Sequence, residues 1–345
     1  MSSIREVARE AGVSVATVSR ALSNPEKVSE TSISKVQKAI EKVGYRPNML
    51  ARNFRSARSY AIVVLVPDIA NPFYSLVIRA IEDRAQQKGY AVLLGDTRGT
   101  PERELEYIRR VETRLADGLL QLRPHSEKAH NVIPPDLASV NACGCEYTEG
   151  PSIRIDNRGA AKTMADYLIS LGHRRIGVIS GLKDNPHAID RMKGFKESLA
   201  EAGIPFEPGL VAEGDFTMWS GLNSAFQFCH MKERPTAIFC MNDEMAIGAI
   251  QTLKSQGIRV PEDVSVTGFD DIAYSKYCDP SLTTMSQPAE EMGKMATDML
   301  LRIIEGETLS QTECVLPTEF IIRKSTAPVN ESAKAKGSQP GDAPA

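Results

Sequence analysis

Ile4-Arg-Glu-Val-Ala-Arg-Glu-Ala-Gly12-Val-Ser14-Val-Ala-Thr17-Val-Ser19-Arg20-Ala-Leu22 sets two short helical patterns on either side of a glycine. Ile4, Val7, Ala8 and Ala11 recur at helical spacing, and Gly12 can take the left-handed backbone that ends a helix and turns the chain. Ser14 opens the second segment as a candidate N-cap, its hydroxyl placed to accept from a free amide near Thr17. Val18, Ala21 and Leu22 then face inward, while Val15, Ala16, Thr17, Ser19 and Arg20 form the outward surface. A helix-turn-helix of this kind fits a DNA major groove. The same pattern also suits an ordinary helical hairpin, so the surrounding sequence has to decide.

Working outward, a third helix is expected from about Thr31 to Val43, with Ile33, Val36, Ile40 and Val43 on one face, Ser29 or Thr31 as cap and Gly44 as its end. The first sixty residues hold eleven Lys+Arg and five Asp+Glu, out of 41 and 44 in the whole chain, leaving 30 and 39 for the rest. A head at +6 on a body at −9 points to a polyanion-binding module joined to a unit that DNA would avoid. From Tyr45 to Ser59 runs a proline-opened, arginine-rich amphipathic segment. In it Leu50 and Phe54, four residues apart, could act as apolar wedges beside Arg52 and Arg55; a plain exposed linker is the other reading.

At Tyr60 the pattern changes to Ala61-Ile-Val-Val-Leu-Val-Pro67-Asp68, a β-branched run typical of a strand buried on both faces of a parallel sheet. Strand and helix then alternate. The spacing predicts helices at about 73–88, 101–114, 158–171, 191–202 and 244–256, and strands at 89–96, 118–122, 152–156, 175–180, 237–240 and 265–269. The fold class is therefore an N-terminal all-α helix-turn-helix head plus an α/β body of two doubly wound lobes, since 345 residues exceed one comfortable sheet of this type.

Such sheets bind ligands beyond the carboxyl ends of their strands, where this chain places Asp68 to Phe73, Asp156-Asn157, Asn242-Asp243 and Asp270-Asp271. Carboxylates and amides there would satisfy a hydroxylated ligand, with Phe73, Tyr74, Phe216 or Trp219 stacking on a ring. Each acidic dipeptide alone could equally be a helix cap or a turn. The six cysteines are scattered, and Cys143-Gly-Cys145 has no second pair, so reduced thiols are expected and no metal site. The five histidines form no ligating cluster and read as structural or solvent-facing. No G-x-S-x-G, P-loop or G-x-G-x-x-G is present, which argues against an enzyme and against a cofactor. With no apolar run of about eighteen residues and no apolar signal core, a cytoplasmic protein is expected, associated with the nucleoid when on DNA.

With head, linker and strand ends in place, residues 3 to 326 resemble the LacI/GalR family of bacterial transcriptional repressors. The resemblance rests on Val13-Ser-Val-Ala-Thr17-Val-Ser-Arg20-Ala-Leu22, Gly44-Tyr45-Arg-Pro47, Asn71-Pro72-Phe73, Gly172-His173-Arg-Arg-Ile176-Gly177, Arg191-Met-Lys-Gly194-Phe195, Asn242-Asp243-Glu-Met-Ala246, Val260-Pro261-Glu-Asp263-Val-Ser265, Gly268-Phe-Asp270 and Leu282-Thr-Thr284. Val66-Pro-Asp68-Ile, Gly95-Asp96, Gly214-Asp-Phe-Thr217, Phe239-Cys240 and Tyr277-Cys-Asp-Pro280 are most similar to members that respond to nucleosides. The resemblance implies a homodimer on pseudo-palindromic operator DNA, with room for a second transcription factor at the promoter, and a periplasmic-binding-protein-like body that takes a nucleoside such as cytidine. It implies that Val15, Ala16 and Arg20 read bases while Ser14, Thr17, Ser19 and Asn24 hold phosphates. Phe54 stands where the family usually has an intercalating leucine, which puts the usual hinge insertion in question. In the cleft, the resemblance implies that Arg191 and Asp270 grip hydroxyls, Asn242 and Asp156 assist, Asp68, Asn71, Phe73, Tyr74 and Phe216 line the pocket, and Gln287 senses closure.

The expected layout is a DNA-binding domain at 1–46, a hinge at 47–59, a two-lobed body at 60–326 and a disordered tail at 327–345, too small and polar for a tetramer-forming zipper. The N-lobe is expected to take about 60–157 and 287–316, the C-lobe about 158–286 and 317–326. Two alternatives stay open: another pentose, sugar or a purine base as effector, or a plain sugar-binding receptor with an incidental basic head.

Overall fold

In the computed structural model, residues 3–23, 27–45, 58–123, 133–134, 136–145 and 148–329 are described. The chain divides into two compact units, 1–59 and 60–345.

The first unit contains α1 (Ile4–Ala11), α2 (Val15–Ser23) and α3 (Glu30–Val43). Ser3 and Glu6 form a reciprocal capping box that satisfies two free amides at the start of α1. Gly12 closes the helix at φ 65°, a conformation that costs a Cβ-bearing residue about 1 kcal/mol or more. Ser14 Oγ accepts from Thr17 N at 3.0 Å, as the spacing predicts. Val7, Ala8, Ala11, Val18, Val36 and Ala39 form a small buried core. The interval 47–59 expected as a hinge lies outside the described residues apart from Arg58 and Ser59, which adopt no regular structure.

The second unit holds two parallel sheets. The first contains β1 (Ala61–Val66), β2 (Ala91–Asp96), β3 (Gly118–Gln121), β4 (Ser139–Asn141), β5 (Ser152–Ile155) and β11 (Glu313–Leu316), in the order β11-β5-β4-β3-β1-β2. All six residues of β1 are buried. Ile62, Val64 and Val66 share a core with Phe73, Val77 and Ile81, while Ala61, Val63 and Leu65 face Ile108 and Val111 on the other side. Burial on both faces explains why β1 shows no polar alternation; each such side chain contributes about 1.5 to 3 kcal/mol. The second sheet contains β6 (Ile176–Ser180), β7 (Val211–Glu213), β8 (Ala237–Cys240) and β9 (Ser265–Thr267), in the order β7-β6-β8-β9. A short antiparallel pair, β10 (Thr284–Ser286) and β12 (Glu319–Ile321), adjoins it through a bridge between Asp270 and Ser286. The helices are α4 (Pro72–Gln87), α5 (Pro101–Glu112), α6 (Asn157–Ser170), α7 (Pro186–Glu201), α8 (Met218–Cys229), α9 (Asp243–Ser255) and α10 (Ala289–Ile304). The chain crosses between the sheets after β5, between β10 and α10, and between β11 and β12.

Two boundaries differ from expectation. Helix α7 starts at Pro186 rather than Arg191, because Asn185 caps it by accepting from Ala188 N and proline suits a first turn whose amides are free. Residues 327–329, expected in the tail, extend the body instead. Ala327 N donates to Ser265 Oγ at 3.0 Å and Val329 N to the Leu171 carbonyl at 2.9 Å. Residues 330–345 lie outside the described residues.

Candidate functional site

The head offers one site. The α2 cap leaves Ser14, Val15, Ala16 and Arg20 exposed and Thr17 and Ser19 half-buried, while Val18 is anchored in the core. Ser14 Oγ lies 2.8 Å from Thr17 Oγ1, so these hydroxyls are already paired before any phosphate is met. Asn24, Leu50, Arg52, Phe54 and Arg55 lie outside the described residues.

The body offers the other. Every strand that ends at the cleft delivers its last or next residues to the same cavity of about 660 Å³: Asp68 after β1, Asp96 at the end of β2, Arg123 after β3, Leu182 after β6, Asp215 after β7, Asn242 after β8 and Asp270 after β9. This is what parallel α/β sheets do, since their strands all end on one side. The volume falls within the roughly 300 to 1,000 Å³ of small-molecule sites. Asn71, Phe73, Tyr74, Arg191, Phe216 and Gln287 also line it.

Arg191 and Asp270 are its electrostatic centre. The Arg191 guanidinium carbon lies 3.6 Å from the centroid of the Phe269 ring, and the group donates from Nε to Asn157 Oδ1 at 2.8 Å and to the Met241 carbonyl. Burial pulls its pKa down to about 10 against the attraction of Asp270. Asp270 is held at φ 122°, a region L-residues avoid, by its backbone amide on the Met285 carbonyl at 2.8 Å. Its Oδ1 accepts from Gln287 Nε2 at 2.6 Å, so Gln287, on the crossing segment, orients the carboxyl. Burial pushes the Asp270 pKa up to about 8 despite Arg191. Near neutral pH the carboxyl of the empty cleft is therefore largely protonated beside the Arg191 cation; each hydrogen-bonds elsewhere, and a ligand carrying hydroxyls can be shared between them.

Aromatic walls stand beside this pair. Phe73 and Tyr74 pack at 5.5 Å between ring centroids, and burial raises the Tyr74 phenol's pKa. Phe216, at φ 68°, lies over Gly181, where any Cβ would overlap its ring. Gly181, not itself on the cavity lining, makes room for that ring and was missed by the sequence reading; its only signal is a glycine directly after a strand. On the cavity's acidic side, burial and the charges of Asp68 and Asp215 raise the Glu244 pKa to about 7.

Other expected residues have different tasks. Asp156 is not on the cavity: its Oδ1 caps α6 by accepting from Gly159 N at 2.9 Å, and its neighbour Asn157 meets Arg191 instead. Asn242 does line the cavity, but Oδ1 caps α9 at Met245 N and Nδ2 donates to the Phe216 carbonyl, so it positions the aromatic wall. Asp243 is fully buried and accepts from Ile272 N, Ser275 Oγ and Thr284 Oγ1. Asp271 pairs with Arg323 at 2.6 Å. Trp219 is 69% exposed and outside the cavity lining. His187, expected to be structural or solvent-facing, is on the cavity wall. Among the described residues no cluster of three or more metal-binding side chains occurs, and no helix is long and apolar enough to cross a membrane.

Comparison with known proteins matches both units. Residues 3–48 fit the family model "Bacterial regulatory proteins, lacI family", and residues 165–326 fit "Periplasmic binding protein-like domain". The HTH-type transcriptional repressor CytR of Escherichia coli is 40% identical over 331 residues, covering 94% of this chain and 96% of the relative. The lac repressor dimer bound to operator and an anti-inducer superimposes with a TM-score of 0.82 at 28% identity, covering 94% of this chain and 99% of that one. A LacI family regulator from Enterococcus faecium with bound ribose gives a TM-score of 0.68 at 27% identity, covering 78% of this chain and all of that one.

Proposed function

This chain belongs to the LacI family of bacterial regulatory proteins, and on that premise we propose that it is a dimeric transcriptional repressor whose operator affinity is set by a nucleoside bound between its two sheets. The observation that carries the effector reading is the juxtaposition of buried Arg191 and Asp270 with the rings of Phe73, Tyr74 and Phe216 on one cavity. A pentose supplies hydroxyls to Arg191 and Asp270, and a flat base supplies a face to the rings. A bare sugar of the same size would leave the aromatic wall facing water. Similarity to a regulator with bound ribose supports the pentose half of this reading.

On the DNA side, Val15, Ala16 and Arg20 read base edges from the exposed face of α2, and Ser14, Thr17, Ser19 and Asn24 hold phosphates. Leu50, Arg52, Phe54 and Arg55 of the hinge approach the minor groove, Phe54 as the wedge. The boundaries we assign are a head to 46, a hinge to 59, and two lobes that exchange segments at about 157, 287 and 317. A homodimer is supported by the lac repressor dimer and by exposed apolar side chains: Leu93 and Leu94 on edge strand β2, Trp219 and Phe226 on α8, and Tyr274 and Tyr277 in the turn that follows β9. The protein works in the cytoplasm, needs no cofactor, and leaves a promoter surface for a second transcription factor.

A thermal-shift screen of the full chain against nucleosides, purine bases and sugars tests this reading, because a ligand that binds only the folded state adds about 2.7 kcal/mol at a hundred times its Kd. A shift with nucleosides and none with sugars is the expected result. Stabilisation by sugars or purine bases alone would replace the ligand class, and no effect of a stabilising ligand on operator affinity would remove the regulatory role.

A further inference from the structure

The polar acceptors around the cavity are mostly committed to holding the fold. Asn71 Oδ1 accepts from Phe73 N at 2.9 Å, Asn185 Oδ1 from Ala188 N at 3.2 Å and Asn242 Oδ1 from Met245 N at 3.0 Å, each capping a helix. Asp270 Oδ1 is taken by Gln287. A cavity wall made this way reads hydroxyl groups through its charges but has few neutral groups with which to tell one base from another.

His187 is different. It lies on the first turn of α7, four residues before Arg191, so the two side chains share one face of the helix about one turn apart. Its Nε2 lies 3.2 Å from the Gly144 carbonyl. A carbonyl only accepts, so Nε2 carries the proton and donates. Burial and the adjacent Arg191 charge pull the imidazole pKa down to about 4, so the ring is neutral at pH 7. A neutral ring protonated on Nε2 has a lone pair on Nδ1. The nearby Cys143 carbonyl, being another acceptor, cannot use it. Gly144 follows β4 of the first sheet, whereas α7 flanks the second, so the bond that sets the tautomer also spans the two lobes.

We propose that His187 is the specificity residue of this cleft, accepting at Nδ1 a hydrogen bond from an exocyclic amino group of the bound nucleoside while Arg191, one turn along, receives the pentose. The inference rests on the nucleoside reading and narrows it to amino-bearing bases. A base with a carbonyl in that place would set an acceptor against an acceptor, and the lost hydrogen bond with its desolvation is worth about tenfold or more in affinity.

The test is isothermal titration of the full chain with two matched pairs, cytidine with uridine and adenosine with inosine, which differ at the amino position. The wild type should favour the amino member of at least one pair by about tenfold or more. In His187→Ala that ratio should collapse to about one, and in His187→Asn, which retains an acceptor, it should be partly restored. His187→Leu, which fills the space without an acceptor, is the second apolar variant, with a cooperative thermal transition as the check on folding. Loss of the lobe-spanning bond alone would weaken both members equally and leave the ratio unchanged. A wild-type ratio near one, or a preference that survives in the apolar variants, overturns the role of His187 and leaves the nucleoside reading standing. Failure of the wild type to bind any of the four overturns both.

Discussion

Replacing Asp270 by Asn should change how the stability of the empty protein depends on pH, and the sign follows from the burial of that carboxyl. In the unfolded chain an aspartate titrates near its ordinary value of 3.8, whereas in the folded cleft burial raises it to about 8. Between those values the folded state holds a proton that the unfolded state has lost. Stability from this group is therefore greatest below about pH 4 and is lost as pH rises toward 8. The limiting slope for one proton is about 1.4 kcal/mol for each whole step of pH, and titration near 8 in place of 3.8 sets a ceiling of roughly 5 to 6 kcal/mol. Arg191 attracts the carboxylate and the cleft opens to water, so about 1 kcal/mol per unit between pH 5.5 and 7.5 is the expected change. Asp270→Asn keeps the shape of the protonated form, can still hydrogen-bond with Gln287, and does not titrate. Urea unfolding of both proteins across that range should show the variant gaining on the wild type as pH rises. Glu244→Gln is the control, because Glu244, raised to about 7 by burial and neighbouring acids, moves in the same direction. Parallel profiles for wild type and Asp270→Asn, with the slope following Glu244 instead, would refute the assignment of a protonated Asp270 in the empty cleft.

Arg20→Ala should weaken binding to the preferred operator by about 1 to 3 kcal/mol and flatten the preference among operator variants in gel shifts; an unchanged preference would remove it from base reading. Operator affinity should fall by roughly 0.9 log units per neutralised phosphate for each tenfold rise in salt, and a flat profile would contradict an electrostatic role for the basic head. Gly181→Ala should displace the Phe216 ring and weaken effector binding at least tenfold in titration, whereas effector affinity at the wild-type level would show that Phe216 is not a stacking wall. Asp243→Ala should cost about 3 kcal/mol or more in denaturant unfolding, because three buried donors lose their acceptor together; a loss under about 1 kcal/mol would show that water replaces it.

Much of the fold was legible because its signals are local. Ser3 to Leu22 carries caps, a turn glycine and a helical apolar stripe within twenty residues, and β1 announces a doubly covered strand in six. The parallel-sheet rule then placed Asp68, Asn242 and Asp270 near one cleft without any coordinates. What misled the reading was the double use of the same residue types. Asp156 and Asp243 both sit at strand ends, yet the first faces away and caps a helix and the second is an internal node, while Asn242 lines the cavity and caps a helix at once. Asp and Asn serve caps and ligands through the same oxygen atoms, so spacing cannot separate the two uses.

Alternating apolar runs and turn residues by themselves determined that this chain has a three-helix basic head and a two-sheet α/β body, because backbone periodicity and burial are properties of neighbouring residues. Tertiary structure alone decided which strand-end side chains face the cleft. Arg191 meets Asn157 across 34 positions of sequence, and His187 meets Gly144 across 43. Gly181 lies under Phe216 only because β6 and β7 pair in one register. Contacts of that range depend on how the sheets twist and pack together, which no local pattern encodes.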